Sequence, residues 1–468
     1  MRHRIRYSII TALMVSFLQT ASGPVLAGQM NSEPLYGETA DQLLAAGLRE
    51  QYTYALLQCI TSTGPRLAGS KGAAAAVELT RRIMQDLGFD AVHLEPTQVP
   101  HWERGPEAFA QMISSKAGSS PLSVAAIGGS IGTPEAGISG NVLEVRSFAE
   151  LHKKRDQVPG RIVFFNRPMD SALLNTFSAY GGAANQRTQG AVEAARAGAI
   201  AVLVRSLTMR LDDFPHTGML EYVLDRATPI PAACVSTLGA EHLHSALQED
   251  PNLRVEMRFQ CRRLEPAPSH NVVGQITGRD KPQEIILLGG HLDCWDLSHG
   301  AHDDGAGCAQ AIAALRLLRK LGLTPRRTIR AVMFMNEEFG GSGGRDYAVS
   351  GLRDQETHVA ALESDRGGFL PLAIGLGLSQ GEFDGFRKWE ELFRRVGLQR
   401  LQRGGGGVDI GPLGSQGTIL CSLIPDSQRY FDVHHSAKDV LTAVNPRELE
   451  LGTIAMALWA YIIAEEGI

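Results

Sequence analysis

Residues 284–293 read EIILLGGHLD, residues 328–338 read TIRAVMFMNEE and residues 358–365 read HVAALESD. Each begins as a short run rich in β-branched and aliphatic residues, the pattern of a strand buried on both faces. Between the first two lies GAGCAQAIAALRLLRKLG, residues 305–322, whose apolar spacing predicts a helix closed by Gly322. Strand, helix, strand and a further strand argue for an α/β sheet with helices on its faces.

In open α/β sheets ligands bind beyond the carboxyl ends of the strands. Here the first run ends in His291-Leu292-Asp293, the second in Asn336-Glu337-Glu338 and the third in Glu363-Ser364-Asp365. One strand ending in a carboxylate means little, and a Glu pair alone is usually a solvated surface pair. Three such ends in succession point to a metal or catalytic centre. GAHDDGAG, residues 300–307, adds a carboxylate that could bridge two metals, and HHSAKD, residues 434–439, adds imidazole. Zinc accepts this mixture of imidazole nitrogen and carboxylate oxygen. Two zincs about 3.5–4 Å apart can share one carboxylate and one water. A second carboxylate off the metal must then carry the proton to the leaving amine, and neighbouring glutamates can divide those jobs.

The rest of the chain frames this centre. With 468 residues, two or more domains are expected. Residues 38–58 and 73–87 read as helices and residues 92–99 as a strand. Between about 110 and 265 the character changes to short β-like runs, SVAAIGG, GNVLEV, RIVFFN and AIAVLVRS, with the helical GAVEAARAG before the last. This predicts an inserted β-rich domain. Residues 1–27 carry Arg2, Arg4 and Arg6, the apolar Ile9 to Leu18 and the small residues of Val25-Leu26-Ala27, the form of a secretory signal peptide. The apolar Leu451 to Ala464 is too short for a membrane span and reads as a packed helix. A formal charge of −5 without a basic stripe excludes nucleic acid as a partner, and no membrane contact is expected after signal cleavage. The six cysteines show no CxxC spacing, so thiolate zinc and redox motifs are not indicated.

In order, HLD, DDGxG, NEE, ESD and HHSxxD resemble the co-catalytic two-zinc aminopeptidase and carboxypeptidase superfamily, and the wider sequence resembles its carboxypeptidase Q family. VPHWERG (99–105), SIGTP (130–134), RTQGAVEAA (187–195), FPHTGM (214–219) and GHLDCWD (290–296) carry that likeness through most of the chain. The resemblance implies a zinc-exopeptidase fold, a mixed central sheet flanked by helices, with an inserted protease-associated domain. Its divisions would be 1–27 signal peptide, 28–110 and 266–468 peptidase domain, and 111–265 insert.

By resemblance, His291, Asp303 and Asp365 match one zinc's ligands, with Asp303 as the bridge, and Glu338 and His435 complete the other. His435 is preferred to His434 because the ligand is followed four residues later by an acid, Asp439. Glu337 matches the general acid/base and Asp293 the carboxylate that orients His291, while the Asp303–Asp304 peptide bond would be cis. Cys294 and Arg366 stand where serine and a small residue are usual, and GGGG at 404–407 replaces a shorter loop. His299 and His302 match no ligand position; His216 in the insert could reach the site. The implied protein is a secreted or periplasmic, homodimeric exopeptidase with two zincs per chain. It would hydrolyse dipeptides or short peptides with free termini through a metal-bridged hydroxide. The competing readings are an aminopeptidase on longer peptides, a single-zinc glutaminyl cyclase and a metal-free receptor-like relative. The complete ligand set and Glu337 disfavour the last two.

Overall fold

The computed structural model describes residues 35–106, 108–222 and 227–468, so the expected signal peptide lies outside the described residues. Residues Tyr36–Ile468 form one compact unit built on two sheets. The strands, in chain order, are β1 (Asp90–Glu103), β2 (Phe109–Ser114), β3 (Gly118–Pro121), β4 (Val124–Ala126), β5 (Ile138–Val145), β6 (Ile162–Phe165), β7 (Ala201–Arg205) and β8 (Ala232–Val235). They continue as β9 (Arg254–Arg258), β10 (Arg262–Ile276), β11 (Lys281–His291), β12 (Arg327–Phe334), β13 (Thr357–Glu363), β14 (Pro371–Leu376), β15 (Arg400–Arg403) and β16 (Ile419–Pro425).

The first sheet has the order β1-β10-β12-β11-β13-β16-β14-β15 and is mixed. β12, β11, β13 and β16 run parallel at its centre, and the antiparallel β10 and β14 flank them. The three runs that decide the fold are therefore adjacent strands, and their carboxyl ends emerge together. β1 lies at the sheet edge, which is why a strand containing Pro96 and Pro100 is tolerated. Helices Ala306–Lys320 and Pro446–Glu466 cover one face and are buried along most of their length, with Trp459 fully enclosed. Among the described residues no helix is long and apolar enough to cross a membrane.

Sequence periodicity predicts one helix over 38–58; the structure has two, Gly37–Glu50 and Tyr52–Thr61. Gln51 sits between them at φ 47°, and the second helix turns to meet the C-terminal helix. There the Glu450 carboxylate accepts from Thr53 N–H at 3.0 Å, and the Thr53 and Thr453 hydroxyls pair at 2.8 Å. Tertiary partners, absent from the periodic pattern, decide that break.

The second sheet has the order β3-β2-β9-β5-β6-β7-β8-β4, drawn from residues 109–258. Its central β6 and β7 are buried throughout, and helices including Thr176–Thr188, Gly190–Arg196 and Thr237–Glu249 accompany it. The segment after β7 reaches back to the first sheet's loops. There Thr217 N–H donates to His435 O at 2.9 Å. All six cysteines are free thiols, five of them buried.

Candidate metal centre

Four loops at the carboxyl edge of the first sheet converge on the Asp303 carboxylate. Its Oδ1 lies 3.3 Å from His291 Nε2 at the end of β11, and its Oδ2 lies 3.2 Å from His435 Nε2. Asp365, just beyond β13, places Oδ1 3.4 Å from His291 Nε2. Glu338, beyond β12, places Oε2 3.0 Å from His435 Nε2. Asp303 thus faces His291 and Asp365 with one oxygen and His435, close to Glu338, with the other. The structure brings all five expected ligand side chains together, and the Asp303–Asp304 bond is cis.

The residues present fit a cation on each side of Asp303. His291 Nε2, Asp303 Oδ2, Glu338 Oε1 and Asp365 Oδ1 are buried without a hydrogen-bond partner. Buried polar atoms rarely stay unpaired, and His291, Asp303 and Asp365, like Asp303, His434 and His435, bring ligand atoms within 4.8 Å of one another, which calls for something that accepts lone pairs. The two histidines are set in the form a metal requires. His291 Nδ1 lies 3.0 Å from the Asp293 carbonyl and His435 Nδ1 lies 3.2 Å from the Thr217 carbonyl. A carbonyl can only accept, so Nδ1 carries the proton and Nε2 keeps its lone pair toward the carboxylates. Among the described residues no Lys or Arg forms an ion pair with Asp303, Glu337, Glu338 or Asp365. The charge consequences are visible in Glu337: burial, then repulsion from Asp365, Glu338 and Asp303, pushes its carboxyl well above the usual range.

His434 stacks on His435 with ring centroids 3.5 Å apart, and its Nε2 lies 3.6 Å from Asp303 Oδ2. Unlike His435 it is not set against Glu338. His302 uses both ring nitrogens on backbone: Nδ1 accepts from Gly368 N–H at 3.1 Å and Nε2 donates to Ala443 O at 3.2 Å. His216 reaches the site's rim, where its Nδ1 donates to His434 O at 2.7 Å. The Cys294 sulfur accepts from Arg66 N–H at 3.3 Å, and burial pushes its thiol up to about 12.

Asp293 acts differently from the sequence expectation. Its backbone carbonyl accepts the hydrogen bond from His291 Nδ1–H at 3.0 Å, while the nearer carboxylate oxygen is 3.8 Å from Nδ1. The carboxylate instead accepts the backbone N–H groups of Asn336, Glu337 and Glu338 at 2.6, 3.1 and 3.3 Å. It ties the end of β11 to the Glu337-Glu338 loop, where Asn336 is held at φ 73°. A non-glycine residue at such a φ costs about 1–3 kcal/mol, and the three hydrogen bonds offset it.

Sequence reasoning overlooked three supports. Asp439 accepts the N–H groups of His302 and Asp303 at 2.6 and 3.1 Å, although the sequence reading used it only as a spacing mark. Asp304 accepts from His291 N–H at 3.1 Å and Gly307 N–H at 2.8 Å. Arg66 is buried and clamps the carbonyls of Leu292, His299 and Gly300. Acids adjoining a ligand motif were a signal for the first two; nothing local marks Arg66.

The centre opens into a cavity of about 330 Å³. Glu337, Tyr430 and Phe431 line it from the first sheet's loops, and Tyr180, Arg187 and Met219 line it from the second-sheet segment. A larger groove of about 640 Å³ shares Met219 but touches none of the five clustered side chains.

Residues 271–453 match the model of Peptidase family M28. The chain is 33% identical to carboxypeptidase Q of Bos taurus over 467 residues, covering 97% of this chain and 96% of that protein. Among solved structures, a peptidase M28 precursor from Shewanella amazonensis superposes with a TM-score of 0.87 at 32% identity, covering 92% of this chain and 97% of that one. A zinc aminopeptidase from Bacillus subtilis shares the fold, with a TM-score of 0.60 at 19% identity over 86% of this chain and 93% of that one.

Proposed function

The chain belongs to the carboxypeptidase Q group of peptidase family M28 and is a zinc metallopeptidase acting on peptides, and on that premise we propose that it is a two-zinc exopeptidase of dipeptides and short peptides. The observation that carries this reading is the two-sided setting of Asp303, with His291 and Asp365 facing one oxygen and His435, beside Glu338, facing the other. His291 and Asp365 would hold one ion and Glu338 and His435 the second, with Asp303 shared. Zinc, when bound, supplies Lewis acidity that polarises a carbonyl and makes water a nucleophile near neutral pH.

The chain's own residues do the rest. Glu337 lines the cavity beside Glu338 but lies outside the cluster of ligand contacts. It is the group free to accept a proton from the attacking water at a carboxylate oxygen and return it to the leaving amine. The Asp293 carboxylate holds the Glu337 backbone N–H at 3.1 Å and so fixes that base against the centre. The carbonyls of Asp293 and Thr217 hold His291 and His435 in one tautomer. The partly aromatic cavity, of about 330 Å³, is of a size that suits one or two residues of substrate. Glu337→Gln tests the base directly: zinc content stays at wild type while kcat falls about 10²–10⁴-fold. Unchanged turnover would sink the assignment.

Three further readings accompany this one. Residues 111–265 are the protease-associated insert, supported by the separate sheet of residues 109–258. Residues 1–27 are a signal peptide that sends the chain to the periplasm or medium, supported by their arginines and apolar run. The mature protein assembles as a homodimer, which sedimentation of the purified chain would check.

A further inference from the structure

The groove of about 640 Å³ has no part in the chemistry described so far, yet it shares a wall with the metal centre. The cavity of the centre and this groove lie on the two sides of one loop. Glu337 and Glu338 line the cavity, while Asn336 and Phe339, their neighbours in sequence, line the groove. Among the described residues Met219 alone lines both spaces.

The backbone at Met219 is held on either side. Gly128 N–H donates to Gly218 O and Leu220 N–H donates to Gly128 O, each at 2.9 Å. Gly128 is itself pressed against Trp295, since a Cβ there would run into the indole ring. The half-buried side chain of Met219 is therefore the movable part of the wall. An unbranched thioether adapts its shape to whatever lies beside it.

The groove is lined in the manner of a site for an extended chain. Gln98 to Trp102 of β1 border it as an unbroken run. Successive side chains of a strand point to opposite faces, so an unbroken run means that the groove meets the strand along its edge. β1 is the edge strand of the first sheet, and such an edge offers backbone groups to an extended peptide. Trp102, Leu220, Phe339 and Leu264 add apolar surface, with Leu264 39% exposed. Asn336 spends its Nδ2 on Ser342 Oγ at 2.9 Å, and its Oδ1 is buried without a partner. That oxygen is an acceptor for which a peptide N–H is the natural match.

Resting on the exopeptidase reading, we propose that the groove is the second part of the substrate site. It holds the residues of a peptide that the cavity of about 330 Å³ has no room for, and Met219 is the sill over which the chain passes. The ligand is an extended oligopeptide, bound through its backbone and by apolar contact. The size of the side chain at position 219 then sets how peptides of three or four residues rank against dipeptides.

The test compares alanyl-alanine with tetra-alanine on the zinc-loaded full chain. Both carry one kind of side chain, so length is the variable whichever end is cleaved. Met219→Ala should raise the ratio of kcat/KM for tetra-alanine to that for alanyl-alanine by about 3- to 10-fold, because it lowers the sill. Leu264→Asp, on the groove side, should move the ratio the other way by about 3- to 10-fold, chiefly through KM for tetra-alanine, as loss of an apolar contact does. Leu352→Asp, at an exposed leucine that lines neither space, should leave the ratio at its wild-type value. An unchanged ratio in both Met219→Ala and Leu264→Asp would overturn the proposal, and so would an equal shift in Leu352→Asp. If wild type and Met219→Ala cleave alanyl-alanine but not tetra-alanine, the exopeptidase reading stands and the groove has no part in it. A zinc-loaded wild type that cleaves neither substrate defeats both.

Discussion

Asp303 shows how much one side chain depends on its neighbours. Its two oxygens face different histidines because Asp439 grips its backbone N–H at 3.1 Å and Asp304 ties the same turn to His291. The candidate ligands were legible in the sequence, since strand-end carboxylates and imidazole marked the place and the family resemblance implied the roles. Their supports were not, because a carboxylate that accepts backbone N–H groups looks like any surface acid in a sequence. Asp293 is the clearest case: the residue was singled out, but its carboxylate serves the 336–338 loop. Asp293→Ala should therefore weaken zinc binding about 10- to 100-fold, as loss of a ligand's support does elsewhere. A chelator competition would measure this, and unaltered affinity would refute the role. His434 and His435 separate by the same means. His435→Gln should lose zinc, whereas His434→Gln should keep it and change KM, because His434 lines the cavity and does not meet Glu338.

Among elements, the parallel strands β11, β12 and β13 and the helix Ala306–Lys320 were readable because each is a long, unmixed apolar pattern. The break at Gln51 was not, since the polar contacts between Thr53 and the C-terminal helix act across about four hundred residues of sequence. β2, β3, β8 and β9 also escaped the sequence reading. They are short strands whose identity comes from pairing partners. The junction between β11 and its helix is tight. A Cβ on Gly307 would lie 1.8 Å from Ser364 O and 2.5 Å from Asp304 Oδ2. Gly307→Ala should destabilise the fold by about 1–3 kcal/mol or more, because backbone stands in the way on one side. Denaturant unfolding would read it, and a wild-type midpoint would contradict the packing described.

For the whole molecule, the sequence predicted two sheets' worth of structure but not that the second supplies Thr217, Tyr180 and Arg187 to the centre of the first. Such long-range sharing leaves no local periodic trace. Stability carries a similar distant signature. His358 is buried against the Tyr347 hydroxyl at 2.9 Å, with Arg330, Arg353 and Glu356 around it. Burial first, then the two arginines, lowers its pKa to about 3. The unfolded value is about 6.5, so the folded state resists a proton that the unfolded state takes up. This contribution is full above about pH 6.5 and is lost as pH falls toward 3, at up to about 1.4 kcal/mol per unit. His358→Gln should flatten that part of the stability curve, and an unchanged slope would count against it. The central claim, that one carboxylate is shared by two ions, is tested most directly by crystals grown with zinc and measured at the zinc absorption edge. Two anomalous peaks should flank Asp303, one against His291 and Asp365 and the other against Glu338 and His435. A single peak, or a second one held without Asp303, would contradict it.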